Sequence, residues 1–174
     1  MNDSRHNVVK TTEMPVTMET TLQYLAWSEG KFFERLYELP ESLYGASYGN
    51  PEWTVAKMAW HIASGATWYE FCLTGTMHER PEIPTSRDEL MTVGSYLRQR
   101  TATIVDEGRH DDALLHVVTD EEEFDVARSI LLTQAVLHSI EHRAQIAAAV
   151  ESRGHNLADL GEIDGWAFAE ERNR

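Results

Sequence analysis

Leu131-Leu132-Thr133-Gln134-Ala135-Val136-Leu137-His138-Ser139-Ile140-Glu141-His142-Arg143-Ala144-Gln145-Ile146-Ala147-Ala148-Ala149-Val150, residues 131–150, reads as one long helix. Leucine, alanine, glutamine and arginine dominate it, and all four are good helix formers. Leu131, Ala135, His138, His142 and Ala149 fall on a single stripe with 4-3-4-7 spacing, so both histidines point where core residues point. The small side chains of Ala135 and Ala149 leave room beside them. The pattern predicts a helix from about Asp125 to Arg153, ended by Gly154.

Three more helices precede it. The first is expected over Thr17 to Leu39, with Leu22, Leu25, Phe32, Phe33 and Leu36 at helical spacing and Pro40 as the stop. The second starts at Thr54, an N-cap residue, and runs to Thr74, with Gly75 placed for a left-handed cap. The connection from Gly75 to Thr85 carries Pro81 and Pro84 and is long for a helical hairpin. Ser86-Arg87-Asp88-Glu89 has the form of a capping box and opens a third helix that ends near Glu107 and Gly108. Residues 109–124 are polar, and the acidic run Asp120 to Glu123 reads as a solvated loop or helix start. Asp164 to Glu171 is expected to form a short terminal helix. No segment alternates clearly with period two. The expected fold class is therefore all-α: a four-helix bundle with a long crossover between helices 2 and 3, plus a short C-terminal helix. Residues 1–16 are expected to be a loosely ordered leader, and residues 17–174 a single domain.

The composition agrees. The 174 residues are 42% hydrophobic and 25% charged, enough for one packed core. The formal net charge of −14 opposes binding to nucleic-acid phosphates or anionic membrane surfaces. Cys72 is alone, so no intrachain disulfide forms. The polar first residues lack a signal-peptide core, and no apolar run approaches the ~20 residues of a membrane helix. A cytoplasmic location is the expectation.

The chemistry concentrates in histidine. Imidazoles that bind a metal must converge on one point at about 2.0–2.1 Å. His138 and His142 are four residues apart and project from successive turns of one face. His61, in the second helix, shares an inward stripe with Met58, Gly65 and Trp68. Taken alone, a histidine on an apolar stripe, such as His61, is more often a hydrogen-bonded core residue than a ligand. The inward pair makes a stronger case, because two buried imidazoles are costly without a shared purpose.

His138-Ser139-Ile140-Glu141-His142-Arg143-Ala144-Gln145 closely resembles the H-x-x-x-H-R-G-Q signature of the DinB-like (DinB/YfiT) superfamily, with Ala144 in place of the usual glycine. Trp53-Thr54-Val55 and Trp60-His61-Ile62 resemble the second helix of the same family. The resemblance spans about Thr17 to Arg153. It implies a four-helix bundle with a long crossover and one divalent metal ion, nickel or zinc, held by His61, His138 and His142. It also implies a metal-dependent enzyme that activates a thiol or water at an open coordination site, of the thiol-dependent S-transferase or hydrolase type. A small thiol cosubstrate, a small-molecule substrate and a homodimer belong to the same expectation. The alternative is a catalytically silent metal- or ligand-binding bundle with a stress-response or sensing role.

Around the three histidines, Glu141 and Gln145 are candidates to support the ligands. Trp27 and Trp68 are candidates to line a cavity above them. His138 to His142 also satisfies H-x-x-E-H, a zinc-protease motif, but only 32 residues follow His142, too few for the distant glutamate ligand those enzymes use. A di-iron site is excluded because the only Glu-x-x-His motif, Glu107 to His110, straddles Gly108. Neither a Gly-x-Ser-x-Gly elbow nor a phosphate-cradling glycine loop is present. His6, His78, His110, His116 and His155 read as surface histidines.

Overall fold

The structure, a computed structural model, describes residues 17–157 and 160–174; the expected leader, 1–16, lies outside the described residues. Five helices follow in order: α1 (Met18–Glu38), α2 (Val55–Thr74), α3 (Arg87–Glu107), α4 (Arg128–Glu151) and α5 (Gly165–Arg172). A two-stranded hairpin, β1 (Leu114–Val118) and β2 (Glu123–Ala127), separates α3 from α4. The chain is an all-α four-helix bundle with a short C-terminal helix and this small sheet added.

The helix ends sit where local chemistry puts them. The Thr17, Thr54 and Ser86 side chains accept from the backbone N–H three residues on, and Asp164 caps α5 through Trp166 and Ala167. Gly75 closes α2 at φ 74°, a left-handed position that glycine adopts without strain. Ala127 precedes α4 and has no capping side chain. Asp112 does that work from the preceding loop, accepting from the backbone N–H and hydroxyl of Ser129.

The hairpin corrects the expected loop. Leu115, Val117, Phe124 and Val126 face inward, while His116 and Asp125 face out and pair across the strands at 2.8 Å. A period-two pattern was present, but the strands have five residues each and exposed Leu114 and Val118 blur the alternation. The acidic run forms the turn, where Thr119 Oγ1 accepts from the N–H groups of Glu121 and Glu122. The first three residues expected in the fourth helix, Asp125 to Ala127, belong to β2 instead.

Packing places the functional helices side by side. α2 lies mainly against α3 and α4, and α1 lies against the same two. The long connection from Gly75 to Ser86 is anchored where Trp60 Nε1 donates to the Pro81 carbonyl at 2.7 Å. The core is one cluster fed by all four long helices, including Leu22, Phe32, Ile62, Leu97 and Ile146. It also holds a charged layer. Glu29 and Arg143 are each 5% exposed; Thr101 donates to Glu29 Oε2 at 2.7 Å, and the Arg143 guanidinium lies over the Phe32 ring. No described helix is long and apolar enough to cross a membrane.

Candidate metal centre

The α2–α4 contact brings the three histidines together. His138 and His142 project from successive turns of α4 with ring centroids 4.5 Å apart. His61, two turns into α2, meets them at 4.9 and 4.6 Å. One ligand nitrogen from each ring can be chosen so that all lie within 4.8 Å of one another.

Gly65 makes the approach possible. A Cβ at that position would sit 2.5 Å from His138 Cε1 and 2.9 Å from Nδ1, far inside van der Waals contact. The space beside Gly65 is thus filled by the His138 ring itself.

Two hydrogen-bond geometries define what the rings can do. His61 Nε2 and His138 Nε2 are 3.1 Å apart. Two nitrogens bound to one tetrahedral ion at about 2.0 Å would be separated by about 3.3 Å, so the spacing is compatible with a shared ion as well as with a direct hydrogen bond. His142 Nδ1 is 2.8 Å from Gln145 Oε1. An amide oxygen only accepts, so Nδ1 carries the proton and Nε2 of His142 keeps its lone pair. Gln145 is thus in hydrogen-bond contact with the His142 ring.

Burial favours the neutral form of His138 and His61. Burial pushes the His138 imidazole down to about 4, helped by neighbouring His142 and His61. His61 is lowered by burial first, then by His142, Lys57 and Arg80. Neutral imidazoles are the form that binds metal. The residues present thus fit one divalent ion: three nitrogen donors, one tautomer fixed, and no carboxylate in the cluster.

The aromatic wall differs from the expectation. Trp27 packs against Tyr24 and Phe168 and lines a groove shared with Lys31 and α5. Trp68 packs against Phe71 and Phe124 beneath the hairpin. Neither joins the histidines. Trp53 does: its indole meets His61 edge-on at 4.9 Å and lies parallel to His142 at 5.8 Å and 9°. It precedes the α2 N-cap, and its position about two turns before His61 was the signal that could have found it. Trp53, Tyr48, Met58, His142, Glu141 and Gln145 line an open cleft of about 630 Å³. Glu141 is exposed on its rim and forms no ion pair among the described residues.

A helical bundle whose second and fourth helices present three convergent histidines defines a class of metal-site scaffold. The family model described as the DinB family matches residues 14–165, and the chain belongs to that family. No curated protein of established function matches the sequence significantly.

Proposed function

We propose that the chain binds one divalent metal ion, nickel or zinc, through His61, His138 and His142, and works as a metal-dependent transferase or hydrolase on a small molecule. The 3.1 Å approach of two Nε2 atoms carries this reading. At that distance one ring N–H donates to the other's lone pair, whereas a shared cation engages a nitrogen from all three rings at once. When bound, the ion supplies Lewis acidity, lowering the pKa of a coordinated water or thiol toward neutrality.

The protein's own residues supply the rest. Gln145 fixes the His142 ring. Trp53 packs on two of the three imidazoles and shields one side of the cluster from water. Tyr48, Trp53 and Met58 give the cleft an apolar wall, and its volume suits a small-molecule substrate. The Glu141 carboxylate lines the same cleft and is placed to receive a proton released there. A thiol cosubstrate fits this arrangement, because a thiolate is the reactive form and a metal site favours it.

The test is metal analysis of protein purified without a histidine tag, beside His61→Ala and His138→Ala. Wild-type protein is expected to hold close to one metal ion per chain and both variants far less. Full retention in both variants would sink the site. Thiol-conjugation and ester- or amide-hydrolysis assays on zinc- and nickel-loaded protein then separate an enzyme from a silent metal-binding bundle. Turnover lost in the histidine variants supports the former, and no turnover with any thiol or ester supports the latter.

A further inference from the structure

We propose that Glu29 is a positioning residue for His138, acting through a single water molecule held in a cavity at the centre of the bundle. The inference rests on the metal-binding reading of His138 and adds a residue from α1 to the apparatus around it.

The cavity has about 10 Å³ of space, room for one water. All four long helices reach it: Glu29 from α1, Tyr69 from α2, Thr101 from α3, and His138 and Ser139 from α4. An apolar cavity of this size stays dry, whereas a buried water needs two to four polar partners. This cavity offers them. Thr101 occupies one carboxylate oxygen of Glu29 at 2.7 Å, and a carboxyl group has further acceptor capacity. Ser139 is 2% exposed, and its hydroxyl, like that of Thr101, acts on the Glu29 carboxyl group and helps to hold it at the cavity. His138 turns Nε2 toward His61, so Nδ1 is the ring nitrogen left to engage this cavity.

A water between Nδ1–H and Glu29 fixes the His138 tautomer with the Nε2 lone pair toward the cluster. This parallels the other ligand of α4. Gln145 holds His142 directly from the cleft side, and Glu29 holds His138 through water from the core side. Burial pushes the Glu29 carboxyl group up, with Thr101, Ser139 and Arg143 opposing, and in either protonation state it keeps acceptor capacity for the water.

Nitrogen-15 NMR of histidine-labelled, metal-free protein reads the His138 tautomer, and chelator competition reads zinc affinity. Wild-type His138 is expected as the Nδ1–H tautomer. Glu29→Gln is expected to mix the tautomers and weaken zinc about tenfold, the usual scale for a residue that orients a ligand. Glu29→Asp keeps the carboxyl group and should retain the wild-type tautomer. Ser139→Ala, which is expected to fold whether or not Glu29→Gln does, should weaken zinc about threefold by loosening the Glu29 carboxyl group that holds the water. An Nε2–H tautomer in wild-type protein overturns the proposal, as does Glu29→Gln with unchanged tautomer and affinity. If wild-type protein takes no zinc, the metal reading fails, while the tautomer measurement still decides the role of Glu29.

Discussion

Two polar clusters lie one residue apart along α4, and they solve opposite problems. His138 and His142 face α2, half-buried, with ring nitrogens that converge with His61 within 4.8 Å of one another. Ser139 and Arg143, each one position further on, turn about 100° around the helix into the core. There a carboxylate, a guanidinium, a threonine hydroxyl and the Phe32 ring largely satisfy each other. The comparison separates a structural cluster from a ligand site. Opposite charges that compensate internally hold helices together, whereas like groups that converge without compensation require something from outside.

The sharpest way to break the comparison is to remove one side of the self-compensated cluster. Arg143→Ala removes the cation that acts on Glu29 in the core and should destabilise the fold by about 1–3 kcal/mol, the scale for a buried group left less satisfied. Urea denaturation followed by circular dichroism measures it; a loss under 1 kcal/mol would mean that Glu29 has other compensation. The histidine cluster should behave in the reverse way. His138→Ala should leave the metal-free fold nearly as stable while weakening zinc by more than about 100-fold, since even supporting groups are worth about 10–100-fold. Equal losses in folding and in metal binding would erase the distinction.

Gly65→Ala tests whether close approach alone sets the site. The added Cβ forces the His138 ring to shift by about 1 Å, because ordinary contacts begin near 3.5 Å. Zinc affinity should fall about tenfold. Alanine's better helix propensity, worth about 1 kcal/mol, should hold the melting temperature of the metal-free protein near that of wild type. Titration calorimetry and a thermal melt read the two effects separately.

The smallest effect is a pair of opposing pH dependences. His138 titrates near 4 in the fold against its ordinary 6.5, so the unfolded chain binds the extra proton between those values. Metal-free stability from this group is complete above pH 6.5 and declines as pH falls toward 4. Glu29 is shifted upward by burial, so the fold holds its proton to higher pH than the unfolded chain does, and its contribution declines as pH rises through that range. Denaturation curves between pH 4 and 7 for His138→Ala and Glu29→Gln should each lose one of these slopes. Unchanged slopes in both variants would assign the pH response elsewhere.

Much of this was legible in one dimension. Helix caps at Thr17, Thr54, Ser86 and Asp164 are local hydrogen bonds between residues two or three positions apart, so the sequence determines them almost alone. The i, i+4 pair His138 and His142 is fixed by helix geometry, and so is the reach of Gln145 back to His142. Glu29 left a signal that went unused: a carboxylate between Leu25 and Phe32 on a core-facing stripe is costly without a partner. The hairpin was lost because two five-residue strands carry too few alternations to stand out.

The sequence by itself thus determined the helices, the inward direction of two histidines and the family that the whole pattern matches. Only the tertiary structure decided which tryptophan walls the site, that Gly65 makes room for the His138 ring, and that Glu29 shares a cavity with it. The physical reason is range. Caps and i, i+4 pairs are short-range geometry that the backbone repeats wherever the residues occur. Contacts among α1, α2 and α4 depend instead on how three apolar faces pack at once, and no single stretch of chain contains that information.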